Sequence, residues 1–422
     1  MFYLLLFKAV ARLPVLLLIL LAVSRPSVAA EPALSLSEAL AIATRDSSLL
    51  SAQRSAIAAA QESTVYAREL PDPKLKLGID NLPIEGPDRF SLTSDPMTMR
   101  KIGIAQEFPR AEKRELKGRR AEHQLAREEA ILADTRTTLR RDVAVAWMER
   151  YFAELMAKVV EEQYAESVLQ RDALQAGVAA SRTTLSERIA LDATLHKLLD
   201  RRAEFDKQAA RAKVMLTRWL GEAGRRPLAS LADASPQPFA VEAHVPHHPH
   251  LQSLERQIDI AQSEADLAKA ATKPDWGMEL IYQQRGPAYT NMMSLQVSID
   301  LPLFADRRQN RERASRLAQV EQARALREDG LRQHLAEAAT AQVEWEAATA
   351  RLKRFDDALL RLARDQVTIA LAAYRGGLSS LATVLEARRA EIDLRLQKLQ
   401  LAAEQGRARA QLIYFLPEDL SK

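Results

Sequence analysis

The chain has 422 residues, no cysteine, only 13 glycines and a formal charge of +4. It can therefore form no disulfide, thiolate metal site or cysteine-linked lipid anchor. The scarcity of glycine, beside abundant Ala, Leu, Arg and Glu, points to long helices and coiled coils. Three basic residues (Lys8, Arg12, Arg25) lie in the first thirty, and without them 57 basic side chains face 56 acidic ones, so charge supplies no nucleic-acid footprint.

Residues 1–30 read as a secretory signal. Lys8 and Arg12 precede an apolar run from Leu13 to Val23, and "SVAA" ends at Ala30 with small residues suited to cleavage. The run is shorter than the roughly 20 residues that a spanning helix needs. An amphipathic helical pattern follows, with Ser37 in position to cap a helix beginning at Glu38, and it stops at "LPDP" (Leu70–Pro73).

Strands come next. In "KLKLGID", Leu75, Leu77 and Ile79 alternate with Lys74, Lys76 and Asp80, and "RKIGIAQEF" carries Ile102 and Ile104. From Pro109 to about Leu174 the pattern is helical, with Leu125, Leu132 and Leu139 at seven-residue spacing. At 1.5 Å per residue such a helix is roughly 100 Å long. It meets a turn at "LQAGVAASRTTLSERIALD", and a return helix places Leu191, Leu198, Phe205, Ala212 and Trp219 on one stripe.

A Pro-rich stretch, 221–249, separates this half from a second with the same order. "HPHLQSLERQIDIAQSEADLAKAAT" is helical and ends at "KPDW"; "WGMELIY" and "MSLQVSIDL" alternate as strands. A helix is expected from about Leu303 to Ala373, with a stripe through Leu331, Ala338, Trp345, Leu352 and Leu359. The glycine pair of "YRGGLSSLATVLEARRA" then interrupts it, and Leu378, Leu385, Ile392 and Leu399 recur every seven residues in the last helix. The expected organisation is signal peptide 1–30, first structural repeat 31–220, linker 221–249 and second structural repeat 250–422. The expected class is mainly α with a small β part.

Runs of alternating strand, apolar on one side and polar on the other, suit lipid-facing barrel strands. Four strands cannot close a barrel, whose lower limit is about eight. An open sheet in lipid would leave unpaired backbone edges costing several kcal/mol per group. If these strands enter a membrane, several chains must pool them.

The duplicated helix–strand–strand–helix order, with the Tyr-then-Gly turn of "YRGGLSSLATVLEARRA", resembles the TolC family of outer-membrane channels over essentially the whole mature chain. The resemblance implies a homotrimer: a twelve-stranded outer-membrane barrel set in lipid, continued by a long periplasmic helical barrel. It also implies two partners, a periplasmic adaptor (membrane fusion protein) and an inner-membrane pump. It places the adaptor-docking tips at Gly177, Arg182, Thr183, Thr184 and Leu185, and at Gly376, Gly377, Leu378, Ser379, Ser380 and Leu381. The gate falls on Tyr374, Thr383 and Glu386. The chain departs from the family in having Thr383 at an often acidic position, which leaves Glu386 as one acidic layer. It also has Thr183 where an Asp often tethers the position of Tyr374.

"PDPKLKLGIDNLP" and "IGIAQEFPRAEKR" resemble the branch serving heavy-metal pumps of the resistance-nodulation-division type, which makes metal cations the expected cargo. A channel for drugs or for type I polypeptide secretion is the alternative, and a soluble periplasmic coiled-coil scaffold is the competitor from another class. His244, His247, His248 and His250 are candidate metal ligands by residue type, with Met97, Met99, Met292 and Met293 as candidate soft ligands. Loop histidines and barrel or loop methionines are the plainer readings. No metalloprotease, nucleophile-elbow or phosphate-loop motif is present, so no enzyme and no cofactor are expected, nor any nucleic-acid partner.

Overall fold

The computed structural model describes residues 32–179, 185–231 and 241–416. The expected signal 1–30 and part of the linker lie outside the described residues. Eight helices and four strands follow one another: α1 (Leu36–Asp46), α2 (Ser48–Tyr66), β1 (Lys74–Asp80), β2 (Met99–Phe108), α3 (Ala111–Ala179), α4 (Leu185–Leu220), α5 (Pro249–Ala270), β3 (Trp276–Gln284), β4 (Met292–Ile299), α6 (Gln309–Arg354), α7 (Leu360–Arg375) and α8 (Leu381–Tyr414). Between α4 and α5, short 3₁₀ turns lie at Gly221–Arg225, Val241–Ala243 and Val245–His247.

Two helix starts differ from expectation. Ser35, not Ser37, caps α1 by accepting a bond from the Glu38 amide at 3.1 Å, so the helix opens at Leu36. The first helical pattern is also two helices, because Ser47 adopts extended geometry and caps α2 through the Leu50 amide.

The helices pack side by side. α3 lies against α2, α4, α5 and α8, and α6 lies against α5 and α8. One buried cluster runs from Leu34 and Ala39 through Val143, Trp147 and Val160 to Phe205, Leu216 and Leu396. Trp147 is fully buried and its Nε1 donates to the Leu34 carbonyl at 3.2 Å. That carbonyl also takes the Ala229 amide, and Leu34 donates to Pro227, so the start of the described chain is stitched to the segment after α4. Arg150, 3% exposed, donates to the Gly224 carbonyl and pairs with Glu154. A second cluster joins Val241, Val245 and Leu251 to Ala338, Trp345, Leu412 and Phe415.

The long helix of the second half is not one uniform α-helix. A π turn occupies Phe355–Leu359 between α6 and α7. It adds a residue to the turn and shifts the buried stripe by one. Leu359, expected on the stripe, is 38% exposed, while Leu360, Val367 and Ala370 are buried.

The sheet is antiparallel throughout, in the order β1-β2-β3-β4. The register aligns Leu75, Ile104, Leu280 and Leu295 in one row, and Leu77, Ile102, Tyr282 and Met293 in the next. Those eight side chains are all exposed, so the face is a continuous apolar surface that none of the described residues covers. On the opposite face Lys76 pairs with Glu279 and Lys101 with Asp80. Among the described residues, no helix is long and apolar enough to cross a membrane.

Candidate functional site

The second helical turn is defined residue by residue. Gly376 ends α7 with φ −80°, whereas Gly377 takes φ +72°, the left-handed region that glycine enters at least cost. The Leu378 amide donates back to the Ala373 carbonyl at 2.8 Å and the Gly377 amide to Tyr374 at 3.0 Å. This paired pattern closes a Schellman motif and satisfies the last helical carbonyls. Leu378 is left 86% exposed at the tip, off the buried stripe on which its spacing had set it. Ser380 then turns the chain into α8 with extended backbone, and Ser379 buries its Oγ without a hydrogen-bond partner.

The first turn, 180–184, lies outside the described residues. Gly177 lies inside α3, which continues to Ala179, so the helix does not stop at that glycine. A glycine within a helix costs about 1 kcal/mol relative to alanine and does not by itself end it. Arg182, Thr183 and Thr184 lie outside the described residues, and Leu185, 61% exposed, opens α4.

A small apolar knot ties the hairpins together close to these turns. Leu191 of α4, Ala370 of α7, and Leu381 and Val384 of α8 are buried against one another, with Tyr374 and Leu385 packed on them. Thr383 and Glu386 sit three residues apart on the exposed side of α8. Arg388, two residues beyond Glu386, pairs with Glu166 of α3.

The histidines separate by role. His248 is 3% exposed and caps α5, its Nδ1 accepting the His250 amide at 3.2 Å, while Nε2 lies 3.1 Å from the Tyr414 carbonyl. Burial, with His334 nearby, pushes the His248 imidazole down to about 4. His250 reaches Asp134 of α3 at 3.3 Å, and His244 and His247 line a cleft of about 270 Å³ with Arg136, Thr137 and Phe415. His334 of α6 completes the buried group: its ring stacks edge-on to His248 at 5.1 Å, its Nδ1 lies 3.4 Å from the Glu337 carboxylate, and its Nε2 has no hydrogen-bond partner among the described residues. Burial, with His250 close by, lowers its pKa too. Tyr414 donates to Asp134, and burial raises its phenol to about 12.

Sequence spacing missed His334, Asp134 and Tyr414, which come from three helices far apart in the chain. Among the described residues, no group of three or more His, Asp or Glu is arranged to hold a metal ion. The methionines do not gather either. Met292 and Met293 are neighbours on β4 and so face opposite sides of the sheet, and the register sets Met99 beside Asp80 and Met292 beside Gln283.

Residues 242–416 match the family model described as Outer membrane efflux protein. No curated protein matches the chain. Solved structures share its fold across nearly their whole length. A membrane protein from Pseudomonas aeruginosa is 14% identical with a TM-score of 0.77, over 90% of this chain and 93% of that one. CusC, studied for the conformational changes of folding and transmembrane channel formation, is 14% identical with a TM-score of 0.77, over 90% and 91%. The outer membrane protein VceC from Vibrio cholerae is 18% identical with a TM-score of 0.75, over 90% and 95%. At these identities the shared property is the fold. The second half of the chain, residues 242–416, is thus similar to the outer membrane efflux protein family, and nine-tenths of the chain shares the fold of these solved outer-membrane proteins.

Proposed function

We propose that this chain is one third of a homotrimeric exit duct, passive itself and driven by an inner-membrane pump through a periplasmic adaptor. The observation that carries the reading is the four-stranded sheet with a bare apolar face and two open edges, β1 and β4. β1 and β4 run antiparallel to each other, so the β4 edge of one copy can pair with the β1 edge of the next, and three copies make twelve strands without a free edge. The long helices then form the wall of a periplasmic tunnel. The units are a cleaved signal at 1–30, repeats at 31–220 and 250–422, and a linker at 221–249.

The exposed Leu378 and the Ser379–Leu381 turn present the adaptor-docking tip, together with the turn carrying Arg182, Thr183, Thr184 and Leu185. Tyr374, Thr383 and Glu386 stand where the tunnel narrows, so Glu386 would form a ring of three carboxylates favouring cations.

Metal cations are the proposed cargo, on the resemblance of "PDPKLKLGIDNLP" and "IGIAQEFPRAEKR" to the heavy-metal branch. Growth of a deletion strain is measured across graded copper, silver, zinc, cobalt, cadmium and nickel beside drugs and detergents. Sensitivity to one or two metals, restored by the intact gene, is the expected result. Sensitivity to drugs alone would overturn the metal cargo and leave the duct standing. A protein that purifies without detergent as a monomer would overturn the duct.

A further inference from the structure

We propose that the junction between β4 and α6, from Leu301 to Arg313, is a docking surface for the phosphate-bearing headgroups of the inner leaflet of the membrane around the barrel. The proposal rests on the membrane reading of the sheet and adds to it the class of lipid bound and the side chains that bind it.

The odd-numbered residues of β4, from Met293 to Ile299, lie on the bare apolar face, and that face continues past the strand. Leu301, Leu303 and Phe304 are 67%, 76% and 70% exposed. The level of this point is marked by the register, which pairs Ile299 with Trp276, and Trp276 stacks on Phe108 at 4.3 Å. Stacked aromatics at the end of an apolar strand face are the side chains that settle at a membrane–water boundary.

Immediately below come Arg307, Arg308, Arg311 and Arg313, all exposed. None has a side-chain hydrogen bond or ion pair among the described residues. The two acids within the segment do not neutralise them: Asp306 accepts from Asn310, and Glu312 leaves a surplus of two positive charges.

The corresponding junction in the first half makes the contrast. Apart from the exposed Lys117, its cations are engaged within the chain: Lys113 holds Asp275 and the Lys273 carbonyl, Arg110 donates to Pro274, Arg114 donates to the Arg68 carbonyl, and Arg119 and Arg120 pair with Glu115 and Glu264. Only the second junction presents unpaired guanidinium groups directly beneath exposed apolar side chains. Guanidinium binds phosphate oxygens two at a time, and an apolar foot beside it enters the acyl boundary. Each basic residue near an anionic membrane surface contributes about 1 kcal/mol, roughly fivefold in partitioning.

The test uses the detergent-purified full chain reconstituted in phosphatidylcholine vesicles containing a small fraction of spin-labelled phosphatidylglycerol or spin-labelled phosphatidylcholine. The fraction of motionally restricted label reports which lipid stays at the protein. The wild type is expected to retain phosphatidylglycerol several-fold over phosphatidylcholine. A variant carrying R307Q, R308Q, R311Q and R313Q should lose most of that preference while migrating as the same oligomer.

Equal retention of both lipids by the wild type would overturn the proposal, as would a preference unchanged in the variant. A variant that keeps the preference but loses its oligomer would overturn it in favour of a neighbouring copy as the arginines' partner, with Glu69 and Asp72 before β1 as the carboxylates within reach. Failure of the wild type to enter vesicles at all would sink the membrane reading itself, an outcome separate from loss of lipid preference in an inserted protein.

Discussion

Gly376 and Gly377 are adjacent and identical, yet the backbone asks different things of them. Gly377 sits at φ +72° in open space, so an added methyl meets no neighbour and the whole cost of alanine there is backbone strain. Gly377→Ala is expected to destabilise the hairpin by roughly 1–2 kcal/mol, and Gly376→Ala by a fraction of that. Thermal unfolding of the two variants side by side checks the order. His248 gives a second residue-level expectation. Its folded pKa of about 4 lies below the ordinary value for histidine, so the unfolded chain binds the proton more readily. The stabilisation from the neutral ring is present above about pH 6.5 and drains away as pH falls towards 4, by on the order of 3 kcal/mol per chain. His250, His334, Asp134, Glu337 and Arg141 face this pocket, and His334 shifts in the same direction. Replacing His248 by Gln should flatten the pH dependence of unfolding over this window. An unchanged slope would place its origin elsewhere.

The helices show how far periodicity carries. On α4 the seven-residue stripe is real: Leu191, Leu198, Phe205 and Ala212 are buried, and Trp219 packs beside them. On the second long helix the same rule holds through Trp345 and then slips by one at the π turn, where Phe355 packs with Ala348 and Leu401. A sequence pattern assumes a constant number of residues per turn, and one added residue moves every later side chain round the helix by about 100°. Leu191 also ties α4 to α7 and α8 near the tip, with no exposed surface. Leu191→Ala is expected to cost about 2–5 kcal/mol and to raise amide exchange selectively around 370–385. Exchange unchanged there would show that the two hairpins hold their tips independently.

At the scale of the whole molecule, the sheet decides between a membrane protein and a soluble scaffold. Leu280 lies at the centre of the apolar face, between Ile104 and Leu295. Lysine at that position would cost about 2–4 kcal/mol at the middle of a bilayer, and almost nothing on a surface facing water. L280K should therefore depress vesicle insertion and heat-modifiable migration, while E279Q, on the polar face, should change insertion little. A fully stable L280K protein would favour the scaffold.

Composition, alternation and heptad spacing by themselves determined that this chain is mostly long helices with four short strands, and where most of them lie. These properties are local and periodic, and burial enforces them wherever a single stripe or face must be covered. The tertiary structure decided what depends on meetings between distant residues. It set the row register that makes the apolar face continuous. It brought His334, Asp134 and Tyr414 to His248, and it engaged the arginines of one strand–helix junction while leaving those of the other bare. It also showed that Gly377, rather than Gly376 or Gly177, carries the left-handed turn, because a glycine in sequence states what is permitted and only the surrounding chain states what is required.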